Sequence, residues 1–470
     1  MSYNMLINGQ LVSGGRTLDI IDPATGAVFA QCACATEAQF EEAVAAAAAA
    51  FPAWSRTPIE ARSAIILRIA EVIEDNLEEL ARLLTSEQGK PLQDARAEVG
   101  GAAYFMRDHA AARMPVEVRE DNETRRVELH RVPLGVVAAI TPWNFPLLTG
   151  TNKLGAALIT GNTVVLKPAA TTPLTTLLFG ALVKDIIPAG VLNIVTDQND
   201  LGHVLTAHPL IRKVTFTGST ATGTKVMGSS ADTLKRLTLE LGGNDSAIVL
   251  DDCDPDAVAP KLFDAAFANN GQLCVAVKRL YVHDSQYDAI CDRLADIARG
   301  KIVGSGLEQG TQLGPVQNRM QFDKVTALIA ETRAEALIIA GGDSPEGPGY
   351  FINPTIVRDI ADTARLVREE QFGPVLPVLR YQDVDDAIAR ANASSFGLGN
   401  SVWSGDMARA HDVAAQLDSG SVWINQHADI SPGIPFSGAK MSGVGTEMSE
   451  LGLLEFTQVK VINRAKVALV

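Results

Sequence analysis

The sequence predicts an α/β fold with two doubly wound parallel-sheet domains and a small additional β element. Short apolar runs alternate with helix-length segments from Gly135 onward, which indicates repeated β-α units. The alternation starts again near Asp245, so we expect a second lobe there. Parts of residues 114–133 and 455–470 alternate apolar and polar side chains, which predicts a hairpin and a terminal strand.

The composition indicates a soluble globular protein of two or three domains. Of the 470 residues, 47% are hydrophobic and 20% are charged, which is enough apolar material for large cores. The net charge of −15 disfavours nucleic acid and anionic membrane surfaces as partners. No apolar run approaches the roughly 18 residues of a membrane span, and residues 1–15 lack a secretion-signal pattern. We therefore expect a cytoplasmic protein.

The cysteines and histidines predict reduced thiols and no metal site. The five cysteines cannot all pair within one chain, and none forms a C-x-x-C pair. The seven histidines are scattered, without the spacing of metal ligands. A free thiol is therefore available for catalysis.

The first 113 residues are predicted to be mainly helical after a short polar strand region. Thr36 and Gln39 fit a capping box ahead of an alanine-rich helix. A second helix is predicted from a cap at Thr57, through apolar residues at spacings of three and four, as far as Leu84. Gly89 supplies the signal that ends this helix.

The hairpin predicted within residues 114–133 has its turn at residues 121–124. The stretch 457–461 alternates in the same way, so we expect it to pair with the hairpin, within a subunit or across subunits. Because the pairing could occur across subunits, we hypothesise that the protein forms oligomers.

The apolar runs after Gly135 are predicted to be strands. They are residues 136–140, 163–166, 192–195, 214–216 and 247–250. Parallel sheets bind ligands beyond the carboxyl ends of their strands. Gly218 and Ser219 follow one run, and such a junction can present backbone N–H groups to a phosphate. The spacing is not G-x-G-x-x-G, so an ordinary β-α turn is an equally good interpretation.

Three local features carry candidate chemistry. Asn144 follows the first strand within a proline-stiffened aromatic loop, Glu240 precedes a Gly-Gly pair, and Cys274 follows a polar turn. Taken singly, each has an ordinary structural explanation: an Asn that closes a turn, a surface ion pair and a small core residue. Their combination favours a catalytic site.

Six ordered motifs resemble the NAD(P)-dependent aldehyde dehydrogenase superfamily, in its non-acylating branch. They are residues 142–146, 216–219, 240–243, 369–374, 435–438 and 440–443. The resemblance implies a dinucleotide-binding domain, a catalytic domain and a bridging element that forms homodimers or homotetramers. The implied boundaries are 1–113 with 134–244 for the first domain, 245–441 for the second, and 114–133 with 455–470 for the bridging element.

The resemblance also implies catalytic roles. Cys274 would be the nucleophile that forms a thiohemiacetal and then a thioester, and Asn144 with the Cys274 backbone N–H would form the oxyanion hole. Glu240 would activate the water that hydrolyses the thioester. Lys153 and Glu447 match positions proposed to relay protons from this base.

The cofactor implied by the resemblance is NAD, with NADP as an alternative. The implied cofactor-binding residues are Trp143, Lys167, Gly218, Ser219, Glu370 and Phe372. Lys167 would bind the adenosine ribose and Glu370 the nicotinamide ribose. Many NAD-preferring members carry a Glu three residues after this lysine, but this chain has Ala170, so the choice between NAD and NADP stays open.

The substrate implied by the sequence is a neutral aliphatic or aromatic aldehyde. Relatives that oxidise succinic semialdehyde hold its carboxylate with two arginines, where this chain has Asn152 and Ala268. The predicted walls of the substrate tunnel are Phe145, Leu148, Ile430 and Phe436. The alternatives are a semialdehyde dehydrogenase, a CoA-acylating enzyme, which Glu240 disfavours, and a catalytically silent structural or binding relative.

Overall fold

A computed structural model describes residues 3–466 of the chain. Residues 1–2 of the predicted dinucleotide-binding domain and residues 467–470 of the predicted bridging element lie outside the described residues. The chain forms a helical layer, two large sheets and a separate three-stranded sheet. Within residues 3–466, no helix has the length and apolar character needed to cross a membrane.

The helices and strands of the described residues are numbered separately, each in chain order. The helices are α1 (Glu37–Trp54), α2 (Ile59–Asp75), α3 (Leu77–Gln88), α4 (Leu92–Ala111), α5 (Pro146–Ile159), α6 (Leu174–Val183), α7 (Gly202–Ala207), α8 (Thr220–Ser230), α9 (Pro255–Phe267), α10 (Tyr287–Gly300), α11 (Arg319–Thr332), α12 (Arg365–Arg368), α13 (Val384–Asn392), α14 (Met407–Ala414) and α15 (Ser449–Leu454). The strands are β1 (Met5–Ile7), β2 (Gln10–Val12), β3 (Arg16–Asp22), β4 (Ala27–Cys34), β5 (Glu117–Asp121), β6 (Arg125–Pro133), β7 (Val136–Ile140), β8 (Thr163–Lys167), β9 (Leu192–Ile194), β10 (Ile211–Thr217), β11 (Arg236–Glu240), β12 (Asp245–Val249), β13 (Val277–His283), β14 (Leu337–Ala340), β15 (Thr355–Arg358), β16 (Val375–Tyr381), β17 (Phe396–Gly397), β18 (Gly399–Trp403), β19 (Ser421–Ile424), β20 (Ala439–Lys440), β21 (Gly443–Val444) and β22 (Thr457–Ala465).

Helices α1 to α4 form the helical layer predicted for the first 113 residues. The capping box of α1 is confirmed, because Thr36 Oγ1 accepts from Gln39 N at 3.3 Å and Gln39 Oε1 accepts from Thr36 N at 3.1 Å. The predicted cap at Thr57 is wrong. Pro58 occupies the cap position of α2, while the Thr57 hydroxyl donates back to Ala53 O at 3.3 Å.

The prediction of one continuous helix as far as Leu84 is also wrong. Asn76, with φ −113° and ψ 20°, separates α2 from α3. Its side-chain amide donates to Val72 O at 2.8 Å, in addition to its backbone N–H, which donates to the same carbonyl at 3.2 Å. The spacing of apolar residues is the same on both sides of this break, so the sequence pattern does not predict the break. Gly89 ends α3 in the left-handed conformation, φ +98°, as predicted.

The first large sheet has the order β2-β1-β9-β8-β7-β10-β11-β21, and β7 to β11 are parallel. Strands β7 and β8 are buried along their whole length, which explains their continuous apolar sequences. Their carboxyl ends, with those of β10 and β11, lie at one edge. Ile140, Lys167, Thr217 and Glu240 are the last residues of these four strands.

The second large sheet has the order β14-β15-β16-β13-β12-β18-β19, parallel except for the β14–β15 pair. The strand predicted at 247–250 is β12 of this sheet, so the second lobe is confirmed. The chain then returns to the first sheet, where β21 pairs with β11. The domain boundaries stay predictions.

The third sheet has the order β22-β6-β5. The predicted hairpin is confirmed, and its pairing with the terminal strand occurs within the subunit, in antiparallel register from Thr457 opposite Pro133 to Ala465 opposite Arg125. Strand β22 lies at the edge and is exposed along nearly its whole length. An exposed edge strand is a ready partner for another strand.

Candidate active site

The loop between β7 and α5 carries Asn144, the predicted oxyanion residue. Asn144 is buried, and its side-chain amide donates to Gln272 O at 2.9 Å. Its backbone carbonyl accepts from Lys90 Nζ at 2.9 Å and from Asn269 Nδ2 at 3.2 Å. The amide therefore lies against the segment that leads into Cys274.

Cys274 follows a short 3₁₀ turn, Ala268–Gly271, in which Asn269 and Asn270 adopt φ values of +50° and +57°. Asparagine tolerates this left-handed region better than most residues. The half-buried Cys274 packs at the margin of an apolar cluster. The buried members of this thiol-side cluster are Val275, Leu398, Trp423 and Phe436.

The electrostatic surroundings of the Cys274 thiol are negative. Burial raises its pKa well above the ordinary range, and the carboxylates of Asp245, Glu240 and Glu370 raise the pKa further. These surroundings favour the protonated thiol over the thiolate. Two of these residues, Glu240 and Glu370, are predicted site residues, and both are close enough to Cys274 to raise the pKa of its thiol.

Glu240 ends β11 and is buried. Among the residues that the structure describes, neither of its carboxyl oxygens has a hydrogen-bond partner. Burial raises its pKa, the charge of Glu447 raises it further, and the positive charge of Lys153 opposes the shift. A carboxyl group whose pKa is raised in this way is suited to general acid–base catalysis.

Lys153 and Glu447, the predicted relay residues, are in direct contact. Lys153 Nζ also donates to Thr215 Oγ1 at 3.0 Å, and the same hydroxyl donates to Glu447 Oε1 at 3.2 Å. Asn152 Nδ2 donates to Glu447 Oε2 at 3.2 Å, and Asn152 Oδ1 lies 3.0 Å from His109 Nε2. Burial lowers the pKa of His109, so this histidine is neutral.

The predicted adenosine and pyrophosphate residues lie at the carboxyl ends of β8 and β10. The Lys167 ammonium forms a buried ion pair with Asp197, 2.5 Å away. Gly218 N donates to Glu240 O at 3.1 Å, so the predicted phosphate loop is tied to the predicted base. Ser219 caps α8 by accepting from Thr222 N at 3.3 Å.

The predicted nicotinamide-ribose residue, Glu370, accepts from Gly243 N at 3.0 Å. Burial raises its pKa to about 6. A side chain at Gly242 would bring its Cβ within 2.3 Å of Glu370 Oε2, so only glycine allows this approach. Trp143 and Phe372 pack edge to face, with ring centroids 5.1 Å apart.

The four predicted tunnel residues divide into two pairs. Phe436 and Ile430 belong to the thiol-side cluster. Phe145 instead lies under the Lys90 ammonium, 3.6 Å from the ring centroid, and Leu148 packs against the core of the first domain. The assignment of all four residues to a substrate tunnel stays a prediction.

Sequence reasoning missed several buried charged or polar residues near these groups: Lys90, Glu98, His109 and Asp197. Two of them had a signal in the sequence. Glu98 and His109 fall among the apolar residues on the buried face of α4, where a charged or polar side chain requires a partner. Asp197 had no such signal, because its pairing depends on the juxtaposition of two strand ends.

The carboxyl ends of the first sheet carry polar groups that suit a dinucleotide. Thr217 Oγ1, at the end of β10, is buried without a hydrogen-bond partner in the described part of the chain, and the Glu370 carboxylate approaches the backbone at Gly242. A doubly wound sheet with such groups at its strand-end crevice, next to a thiol and an unpartnered carboxylate, defines the class of dinucleotide-dependent oxidoreductases.

Comparison with known proteins identifies the family. The model of the aldehyde dehydrogenase family matches residues 11–462. Phenylacetaldehyde dehydrogenase of Pseudomonas fluorescens is 40% identical over 98% of this chain and 95% of its own length. Glutarate-semialdehyde dehydrogenase of Pseudomonas putida is 38% identical over 97% of this chain and 96% of its own length. An NAD+ complex of Bacillus cereus aldehyde dehydrogenase superposes with a TM-score of 0.97 at 36% identity, covering 99% of this chain and 97% of that structure.

The chain therefore belongs to the aldehyde dehydrogenase family. The predicted fold class is confirmed, and so is the prediction of an NAD(P)-dependent enzyme that acts on aldehydes.

Proposed function

We propose that this chain oxidises neutral aliphatic or aromatic aldehydes to carboxylic acids through a covalent intermediate on Cys274. The observation that carries the proposal is a half-buried thiol beside Glu240, a buried carboxyl group whose oxygens have no hydrogen-bond partner within residues 3–466. An unpartnered buried polar group is costly. Its presence is explained if Glu240 acts on a water molecule that enters with the substrate.

In the first step the Cys274 sulfur bonds to the aldehyde carbon, the thiol proton is released to solvent, and the carbonyl oxygen becomes an alkoxide. The Asn144 amide and the Cys274 backbone N–H donate to this alkoxide. Asn144 suits this role because one of its amide protons is bonded to Gln272 O at 2.9 Å and the other is free to donate. Removing one such donor typically costs about 100- to 1,000-fold in rate.

NAD(P)+, held at the strand-end crevice, would supply the hydride acceptor that the oxidation of the thiohemiacetal to the thioester requires. Glu240 then removes a proton from water while the water oxygen bonds to the thioester carbon. The carbon–sulfur bond breaks, the carboxylic acid leaves, and the Cys274 thiolate takes up a proton to restore the thiol. We assign the removal of this proton from Glu240 to Lys153 and Glu447, which contact each other and whose charges act on the Glu240 carboxyl group.

The cofactor assignments rest on the strand-end crevice. We assign the adenosine ribose to Lys167, the pyrophosphate to Gly218 and Ser219, and the nicotinamide ribose to Glu370, with Trp143 and Phe372 packing nearby. Although Ala170 supplies no carboxylate, Asp197 lies 2.5 Å from the Lys167 ammonium. A carboxylate beside the ribose favours its hydroxyls and repels a 2′-phosphate, so we propose a preference for NAD over NADP.

The substrate assignment rests on the apolar surroundings of the thiol. Trp423, Phe436 and Ile430 belong to the thiol-side cluster. Asn152 is already bonded to Glu447 and His109, so it is not free to bind a substrate carboxylate. The name of the phenylacetaldehyde dehydrogenase relative supports an aromatic substrate.

A semialdehyde is the second candidate substrate. It is favoured by the similarity to glutarate-semialdehyde dehydrogenase, at 38% identity. A CoA-acylating enzyme and a catalytically silent relative are disfavoured, because Cys274, Glu240 and Asn144 are all present.

We also propose a cytoplasmic homodimer or homotetramer that assembles through the edge of the third sheet. Val459, Val461 and Ile462 are exposed on β22, where a partner strand would cover them. The domain boundaries are proposed as 1–113 with 134–244, 245–441, and 114–133 with 455–470. Val461→Lys should dissociate the assembly in sedimentation velocity, and an unchanged sedimentation coefficient would contradict this interface.

The activity is tested by following nicotinamide reduction with NAD and NADP in parallel and without CoA. Phenylacetaldehyde, a straight-chain aliphatic aldehyde and glutarate semialdehyde serve as substrates. We expect turnover of the two neutral aldehydes and a higher kcat/KM with NAD. Asp197→Asn should lower the ratio of kcat/KM with NAD to kcat/KM with NADP, because the carboxylate that repels a 2′-phosphate is removed. A preference for the semialdehyde would support the second candidate, and turnover that requires CoA would support the acylating alternative.

A further inference from the structure

A buried ion pair holds the segment that carries Asn144, although none of the proposed reaction steps uses it. Lys90 Nζ and Glu98 Oε2 are 2.5 Å apart, and neither side chain has any exposed surface. Lys90 follows α3 and Glu98 lies within α4, so the pair joins the helical layer to the loop after β7.

Lys90 contacts two consecutive residues of this loop. Its ammonium donates to Asn144 O at 2.9 Å and lies 3.6 Å from the centroid of the Phe145 ring. The rotation of the Asn144 peptide group is thereby fixed from the carbonyl side. Asn269 Nδ2 donates to the same carbonyl at 3.2 Å.

Glu98 contacts the next part of the same segment. Its Oε1 accepts from Leu147 N at 3.1 Å and from Leu148 N at 3.3 Å, in the first turn of α5. A carboxylate in this place satisfies N–H groups that have no partner within the helix and interacts favourably with the helix dipole. The two members of the ion pair thus hold the two halves of residues 144–148.

Stability alone does not explain a fully buried ion pair. Burying two charges costs free energy that their attraction only partly offsets, and apolar replacements are often as stable. Burial also lowers the pKa of Lys90, which the charge of Glu98 opposes. An apolar pair at these two positions could not reproduce the hydrogen bonds that Lys90 and Glu98 form with residues 144–148.

We propose that Lys90 and Glu98 are positioning residues, which hold the side-chain amide of Asn144 in the orientation that donates to the alkoxide. The inference rests on the proposed role of Asn144. Fixing the carbonyl of Asn144 and the start of α5 leaves the amide little freedom between its contact with Gln272 O and the substrate. A displacement of about 1 Å at such a group can cost about 100-fold in rate.

The test uses the double variant Lys90→Met with Glu98→Gln. Methionine removes the donor to Asn144 O at similar length, while glutamine keeps an acceptor for the N–H groups of α5. Neither charge is left unpaired, so the double variant avoids the large destabilisation of a single replacement. The double variant is made in the wild-type protein and in Asn144→Ala.

The measured quantity is the rate of the first turnover of NADH formation with phenylacetaldehyde, by stopped flow with the whole enzyme. In the wild-type background we expect the double variant to lose about 10- to 100-fold in this rate, with KM changed less than about 3-fold. In the Asn144→Ala background the same double variant should lose less than about 3-fold, because the group that it positions is already absent.

Glu87→Gln is the matched control. Glu87, in α3, is a fully buried carboxyl group that likewise accepts two backbone N–H groups at the start of a helix, from Leu174 at 2.7 Å and Thr175 at 2.9 Å. This helix is α6, which does not carry Asn144. The Glu87→Gln variant should change the first-turnover rate less than about 2-fold, even if the midpoint of urea unfolding falls.

The outcomes separate the inference from the proposed function. If Asn144→Ala alone keeps the wild-type rate, the oxyanion assignment fails and this inference fails with it. If Asn144→Ala lowers the first-turnover rate but the double variant does not, the oxyanion assignment stands and the positioning role is overturned. The same conclusion follows if the double variant lowers this rate by the same factor in both backgrounds. A loss confined to the wild-type background supports the inference.

Discussion

Replacing Glu240 by glutamine should slow hydrolysis of the thioester far more than its formation. The change is nearly isosteric and breaks no hydrogen bond within residues 3–466, because neither carboxyl oxygen has a partner there. The lost function is therefore the proton transfer alone. General-base catalysis typically contributes about 100- to 10,000-fold, which corresponds to about 2.7 to 5.4 kcal/mol in the barrier to hydrolysis.

The stability of Glu240→Gln should change in the opposite direction to its activity. In the wild type, burial and Glu447 raise the pKa of Glu240 above its unfolded value. The stability that follows from a raised carboxyl pKa is present below the unfolded pKa and is lost as pH rises through the folded value. Glutamine has no such loss, so the variant should gain stability relative to the wild type as pH rises towards neutrality.

The assay separates the two phases of NADH formation. We expect Glu240→Gln to retain a burst of about one equivalent per active site and to lose the steady-state rate that follows. The wild-type steady-state rate should fall as pH decreases through the raised pKa of Glu240, because protonation removes the base. Loss of the burst with an unchanged steady-state rate would refute this reasoning, and so would a variant whose two phases both match the wild type.

Three further predictions concern other parts of the molecule. Cys274→Ala should abolish oxidation while NAD binding, measured by calorimetry, is retained; residual turnover would contradict the nucleophile assignment. Glu447→Gln should move the acid limb of the steady-state pH profile to lower pH, because a negative neighbour that raises the pKa of Glu240 is lost; a shift to higher pH would contradict this. Buried Asn162 accepts from two backbone N–H groups at 2.8 and 2.9 Å and donates to Phe456 O at 2.9 Å, so Asn162→Ala should cost about 3 kcal/mol in urea unfolding, and a neutral result would contradict the expected loss.

The strands of the first sheet were predictable because their residues are buried on both faces. Residues 136–140 form the predicted strand without a change of bounds, and the other predicted runs differ by a few residues. Local signals also predicted the capping box at Thr36 and the end of α3 at Gly89. The break at Asn76 was not predictable from periodicity, because apolar spacing is the same on both sides of it.

The candidate site was predictable only as far as its motifs extend. Cys274, Glu240 and Asn144 lie in motifs that can be recognised along the chain. The partners of these residues could not be found in that way. Asp197 meets Lys167 only because two parallel strands end side by side, and Asn152 contacts Glu447 across 295 positions of sequence. Such contacts are properties of the folded topology rather than of local patterns.

The contact between Lys153 and Glu447 joins an early part of the chain to a late one, across 294 positions. During synthesis at about 5 to 20 residues per second, Lys153 precedes its partner by roughly 15 to 60 s. Strand β21, which completes the first sheet, is also made late. Until residues 443–447 have been made, neither this ion pair nor the last pairing of the first sheet can form.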